Sequence, residues 1–205
     1  MTTPTATPPL RPAQTHDVAA IVALLVDAAA TDPVAAWLVP DPAERQDIFH
    51  RVLPIEVDHA VEFGTVDVTL DMTAVAVWHH HPAPEAALLA DHHLGAFTGM
   101  AVPRFQRLHT LVRRYRSDAP HHWLAWLYVA PGARGHGFGR ALLAHHHQRV
   151  DQIGYPVDTL VTATTARDHL VGQGYRAGVP LHLLTGPQLW PLHRAGRPVP
   201  PTMAG

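Results

Sequence analysis

The run His121 to Val150, HHWLAWLYVAPGARGHGFGRALLAHHHQRV, constrains this chain more than any other stretch. Trp123 to Val129 is uninterrupted in aromatic and apolar residues, the pattern of a buried strand. Pro131 and Gly132 stop it. Gly135, Gly137 and Gly139 then alternate with His136 and Phe138 in a loop that begins at Arg134. From Arg140 to Val150 apolar residues return at Ala141, Leu142, Leu143 and Val150, as in a helix packed on one face. A glycine-rich loop that opens a helix aims bare backbone N–H groups at one spot. The helix dipole adds positive potential there, so the spot suits a phosphate. Glycine serves where the backbone must approach a ligand closely or turn with φ > 0. The dinucleotide fingerprint G-x-G-x-x-G does not fit, because the spacing here is G-x-G-x-G. A Walker loop fails as well, because the chain has no lysine.

Composition narrows the function classes. With 205 residues the chain suffices for one domain with a sizeable core, and a single domain over 1–205 is expected, with flexible Pro-rich tails at 1–9 and 195–205. A formal net charge of −2 gives no support for nucleic-acid or anionic-membrane partners, which usually need a basic face. The chain has no cysteine, so disulfides, thiolate metal sites and thiol nucleophiles are excluded. No apolar run approaches the ~20 residues of a membrane span. A soluble cytoplasmic protein, monomeric or homodimeric, is the expectation.

Taken in order, Leu10 to Ala13 reads as a short strand. Thr15 is placed to cap a helix through Ala30, with apolar residues at Val18, Ile21, Val22, Leu25 and Val26. Asp32-Pro33 breaks it, and Trp37 to Val39 sit in a Pro-bounded connection. A second helix is predicted from Ala43 to Phe63, with a bend at Pro54. Val66 to Leu70 and Ala74 to Trp78 alternate around Asp71-Met72 as a hairpin. Glu85 to Arg116 reads as largely helical. After the central run come a β-rich segment at Val157 to Thr165, one helical turn at Arg167 to Val171, and strands near Tyr175 to Leu184 and Gln188 to His193. The mixture predicts an α+β (mixed α/β) domain.

The strand, Arg134-x-x-Gly137-x-Gly139 and the helix with paired leucines together resemble the acetyl-CoA-binding motif of the GCN5-related N-acetyltransferase (GNAT) superfamily, Gln/Arg-x-x-Gly-x-Gly/Ala. The order of elements is similar throughout. The segments Asp32-Pro33, Thr73 to Trp78, Trp123-Leu124-Ala125 and Thr185 to Trp190 are most similar to puromycin N-acetyltransferase-like actinobacterial enzymes. The resemblance implies a central mixed, mostly antiparallel twisted sheet of about six to seven strands flanked by helices. It implies acetyl transfer from acetyl-CoA to an amine of a small molecule, an antibiotic or a biosynthetic intermediate, with no metal. It places the backbone of Leu127, Tyr128 and Val129 along the pantetheine arm. The N–H groups of Arg134, Gly135, His136, Gly137, Phe138, Gly139 and Arg140 fall around the pyrophosphate, and a further cofactor contact falls on Asp168 with a short deletion or on Ala166 without one. Asp32, Trp37, Trp78, His79 and Trp123 flank the acceptor. The usual acid or base positions depart from the pattern: Trp123 stands where many members have Glu or His, and Leu170 stands where the general-acid tyrosine belongs. An acyl-CoA-binding or repurposed protein is therefore the alternative.

Eighteen histidines invite a metal hypothesis. Adjacent histidines point in different directions, and no cluster combines helical spacing with a carboxylate in register, so no metal site is expected. His121 or His122 at the strand start is a candidate general base, against the plainer reading of a strand-end histidine bonded to backbone. By alternation His121 shares a face with Trp123, and His122 points the other way unless the strand is bulged. His145 to His147 are expected on the solvent face of the cofactor helix.

Overall fold

Two Asp-Pro steps set the helical layer. The structure, a computed structural model, describes residues 9–81, 98–116 and 118–197. Asp32 accepts the N–H of Ala35 at 2.8 Å, and Asp41 accepts that of Glu44 at 2.8 Å. In each case the following proline occupies the first helical position, where no donor is required. Asp32-Pro33 therefore ends α1 (Val18–Thr31) and at once begins α2 (Pro33–Leu38), so the connection expected around Trp37 is a helix. Asp41-Pro42 begins α3 (Pro42–Phe63), which continues past Pro54. Thr15 opens a 3-10 turn and does not cap α1. Asp17 instead ties that turn to the first strand through a paired contact with the Arg11 guanidinium at 2.6 and 2.7 Å, which holds its carboxyl well below the usual range.

The strands are β1 (Leu10–Pro12), β2 (Thr65–Thr69), β3 (Ala74–His81), β4 (His121–Val129), β5 (Val157–Val161), β6 (Arg176–Ala177), β7 (Leu181–His182) and β8 (Gln188–Arg194). They form one mixed sheet in the order β1-β2-β3-β4-β5-β8-β6, with β7 also on β8. Among the described strands only β4 and β5 are parallel. The remaining helices are α4 (Val102–Tyr115), α5 (Phe138–Ile153) and α6 (Thr164–Val171). Part of the helix expected from Glu85 lies outside the described residues, and α4 is its described remainder. The β-rich reading of Val157 to Thr165 shortens to β5, because the chain enters α6 at Thr164. No described helix is long and apolar enough to cross a membrane.

Strand alternation divides the core into two layers. Val66, Val68, Val75 and Val77 face α1, α2 and α3, with Phe105, Leu108 and Leu111 of α4 packed against the same cluster. Ala74, Ala76, Trp78 and Leu124 face the opposite side, under Leu142, Leu143 and Val150 of α5. The second layer overturns one expectation. His146 and His147 are buried, because they lie four residues after Leu142 and Leu143 on the stripe that leads to Val150. His146 stacks on Trp78 with ring centroids 3.8 Å apart, and His147 meets the Tyr175 hydroxyl at 2.9 Å. Only His145 keeps substantial exposure, with 39 % of its side chain open.

These imidazoles give the fold an acid limit. Burial, reinforced by neighbouring His80 and His146, pushes His122 down to about 3. Burial also holds His80 and His147 at about 4 and lowers His146. The same groups titrate near 6.5 in the unfolded chain. Between about pH 6.5 and 4 the unfolded state therefore binds more protons, and stability falls as pH falls. Thermal melts from pH 7 to pH 4.5 are expected to show a steadily decreasing midpoint. A midpoint constant over that range would contradict the buried histidine layer.

Candidate active site

The site is built around the point where two parallel strands part. β4 pairs with β5 only at His122–Leu124, opposite Val157–Thr159. The Thr159 hydroxyl then donates to the Leu124 carbonyl at 2.8 Å and closes the paired half. Beyond it β5 continues on β8, while β4 continues on β3 alone among the described strands. Burial changes at the same place: His121 to Leu124 are buried, and Ala125 to Val129 are half-buried. The backbone edge of Ala125–Val129 that turns toward β5 therefore meets no strand, and its polar groups are available to an extended ligand.

A bulge coincides with the parting. Val77 pairs with Trp126 and Trp78 pairs with Leu124, so Ala125 is an extra residue in β4. The alternation resets across it. Upstream, His122 and Leu124 face α5; downstream, Trp126 and Tyr128 face the α1 to α3 layer. Because the bulge lies after the histidines, His122 keeps the orientation expected of an unbulged strand start.

The loop after β4 lies beside this opening. Ala133 and Arg134 turn on a 3-10 step whose N–H groups return to Ala130 and Pro131. The Arg134 Nε donates to the Val129 carbonyl at 3.1 Å and its guanidinium lies 5.9 Å from the Tyr128 ring, so this side chain fixes the loop to the strand end. Gly135 and Gly137 have φ of 82° and 83°, the left-handed region where a side chain is strained. Gly137 is the N-cap of α5, and no acidic residue occupies the first turn of that helix. The N–H groups of the first turn have no helical acceptors, and the positive end of the dipole stays uncompensated. A Cβ on Gly135 or Gly137 would meet nothing within 4 Å, so the loop borders open space. An anion fits there by the number of donors, the sign of the potential and the room.

The other expected site residues separate by face. Trp123 lies on the α1 to α3 side, with the Arg116 guanidinium 4.4 Å over its ring. His79 lies on that side too, 3.3 Å from a Glu56 carboxylate oxygen. Asp32 caps α2, and burial raises its carboxyl. Trp37 is buried on α2, and its carbonyl accepts from Arg104 at 2.8 Å. Asp168 is exposed on α6 and pairs with Arg167 at 2.8 Å. Trp78 does not reach the acceptor side: it is fully buried under α5 because its parity on β3 is that of Ala74 and Ala76.

His121 and His122 require correction as bases. Both are buried in the closed half of β4, upstream of the parting. His121 Nδ1 bonds the Ala119 carbonyl at 2.8 Å and burial lowers its pKa. His122 faces α5, where its Nδ1 lies 2.9 Å from His146 Nε2. Leu170 is buried and supplies no proton. Glu56 escaped the sequence reading. Its signal is a carboxylate set among the helical apolar positions Val52, Leu53, Val57 and Ala60 of α3. Among the described residues no group of three or more His, Cys, Asp or Glu is placed to hold a metal.

A mixed sheet parted between its one parallel pair, with a glycine-capped helix at the opening, is the architecture of an acetyltransferase fold. The chain belongs to the acetyltransferase (GNAT) family, whose sequence profile matches residues 54–169. No curated protein sequence matches the chain. Among solved structures, a histone acetyltransferase HPA2 and related acetyltransferase from Corynebacterium glutamicum is similar over 94 % of this chain and 98 % of its own, at 23 % identity and a TM-score of 0.73. An agmatine N-acetyltransferase in its apo form matches 92 % of this chain and 99 % of its own, at 18 % identity and a TM-score of 0.65. A Drosophila melanogaster polyamine N-acetyltransferase that forms N-acetylagmatine matches 91 % and 99 %, at 17 % identity and a TM-score of 0.62. At these identities the likeness establishes the fold.

The wall that holds Trp37 gives a direct test of packing. A Cβ on Gly186, in the loop before β8, would lie 2.7 Å from Trp37 Nε1 and 2.8 Å from the Leu183 Cβ. Gly186→Ala is expected to destabilise by roughly 1–3 kcal/mol, an overpacking cost, as measured by chemical denaturation.

Proposed function

We propose that this chain transfers an acetyl group from acetyl-CoA to an amine of a small molecule. The observation that carries the reading is the unpaired edge of β4 leading directly to the glycine-capped start of α5. A pantetheine arm has two amides and is bound well by strand-like hydrogen bonds, here from Leu127, Tyr128 and Val129. A diphosphate belongs on a helix N-terminus, here the N–H groups from Gly135 through Arg140, the Arg134 N–H being returned to Pro131. Acetyl-CoA supplies the activated thioester. The chain itself holds that thioester in the opening, presents the acceptor from the α1 to α3 side, and limits water around both.

The amine acetyltransferases among the structural relatives support an amine acceptor. The likeness of Asp32-Pro33 and Thr185 to Trp190 to puromycin-type enzymes supports a role in antibiotic resistance or in tailoring a biosynthetic intermediate. Asp32, Trp37 and Trp123 then line the acceptor side. Buried Leu170 favours a second reading, in which the protein binds acyl-CoA and turns it over weakly or not at all. Loss of a general acid typically costs about 10²–10⁴-fold, so positioning alone still leaves measurable turnover.

Calorimetric titration with coenzyme A tests the binding half. Gly137→Asp keeps a residue that tolerates left-handed backbone and places an anion at the proposed pyrophosphate position. Affinity is expected to fall at least tenfold, on the order of 1.4 kcal/mol, with the melting transition retained. Unchanged affinity in a folded variant would refute the cradle. Thiol release from acetyl-CoA with a panel of primary amines separates the two readings: amine-dependent release supports transfer, and saturable binding without release supports the acyl-CoA-binding alternative.

A further inference from the structure

Glu56 supplies the carboxylate that β4 lacks. Its Oε1 accepts the Trp126 indole N–H at 3.1 Å and lies 3.3 Å from His79 Nε2. An indole nitrogen only donates, so the first bond fixes Oε1 as an acceptor, and His79 completes the pair in the tautomer protonated at Nε2. Trp126 is the first residue of β4 after the bulge, on the side facing α1 to α3. The carboxylate is thus delivered by a helix to the strand segment where the backbone becomes available. It is also reachable: 26 % of the Glu56 side chain and 17 % of the His79 side chain are exposed. Both bonds fall on Oε1.

Rings gather around this carboxylate and its histidine. His59 lies with its ring 5.8 Å from His79. His81 and His121 stand further along β3 and β4, 4.9 Å from each other. The Arg104 guanidinium of α4 and that of Arg116, which follows α4, are engaged with the Trp37 carbonyl and the Trp123 ring. Trp126 offers an aromatic ring on the same side, which favours a cationic group over a neutral one.

We infer that Glu56 is the anion that binds the acceptor as its ammonium ion and takes its proton, with Trp126 and His79 as positioning residues. The acceptor class is therefore a primary amine that is charged at neutral pH, on an apolar or aromatic body. The step balances simply. One ammonium proton passes to the Glu56 carboxylate and from its exposed part directly to solvent. The nitrogen lone pair forms the C–N bond to the thioester carbonyl carbon, the C–S bond breaks, and the departing thiolate takes the second nitrogen proton. The products are the amide, free coenzyme A thiol and one released proton. This inference rests on the acetyltransferase function proposed above.

The test measures acetyl-CoA affinity by calorimetry, and kcat/KM against pH with butylamine, 2-phenylethylamine and 1,4-diaminobutane, for the wild type, Glu56→Gln, Glu56→Asp and Trp126→Phe. Glu56→Gln is expected to bind acetyl-CoA within twofold of the wild type and to lose about 10²–10⁴-fold in kcat/KM at pH 7. The deficit narrows above about pH 10, where a free alkylamine is already neutral. Glu56→Asp recovers part of the loss, and Trp126→Phe, which keeps an aromatic ring but removes the donor, gives a smaller deficit of the same pH form. A folded Glu56→Gln enzyme with wild-type kcat/KM and pH profile overturns the role of Glu56 and leaves the proposed function standing. So does a deficit that is constant with pH. Wild-type protein that binds acetyl-CoA and acetylates none of these amines overturns the cationic-amine assignment, and wild-type protein that fails to bind acetyl-CoA overturns the proposed function itself.

Discussion

Everything at the candidate site depends on the ending of one ladder. β4 and β5 run parallel for three residue pairs, and the Thr159 hydroxyl then takes the Leu124 carbonyl that the next pair would have used. A parallel ladder left incomplete inside a sheet ordinarily costs unsatisfied backbone groups. Here the cost falls on a segment that opens toward solvent and toward the start of α5. The sheet is stable despite the gap because β3 pairs along β4 on its other edge, from Val129 to His121, and β8 does the same for β5.

The two faces of the sheet then perform different tasks. The α5 side is closed by Trp78, Leu142, Leu143 and a layer of neutral imidazoles, and it anchors the helix whose first turn points at the opening. Asp67 is fully buried in that layer, with Arg149 at 3.4 Å and His146 at 3.8 Å. Burial lowers the imidazoles, so this carboxylate has Arg149 as its permanent countercharge. The α1 to α3 side is less tightly sealed around Glu56, His79 and Trp126, where polar atoms meet each other across elements distant in sequence.

Much of this was legible in the sequence. The strand, loop and helix from His121 to Val150 and the hairpin at Val66 to Trp78 carry strong period-2 and glycine signals, and both formed as expected. The family followed from three residues of the loop and their flanks. Less visible were features that depend on packing rather than on local pattern. α2 is too short for a periodic signal, so only its Asp-Pro cap announced it. The triple His145 to His147 looks polar as a block, although two of its members fall on the apolar stripe of α5. Glu56 lies 70 residues from Trp126 in the chain, and no spacing rule connects them.

The extra residue at Ala125 has a wider consequence. It makes β4 two short strands of opposite parity joined in one ladder: even-numbered residues before it look toward α5, and even-numbered residues after it look toward α3. The halves are therefore separable modules. The upstream half is fitted to the histidine layer beneath it, while the downstream half is fitted to the α1 to α3 layer and borders the opening. Counting by simple alternation across the bulge assigns a residue to the wrong side of the sheet, so the strand that closes one face and the strand that borders the opening answer to different rules of position.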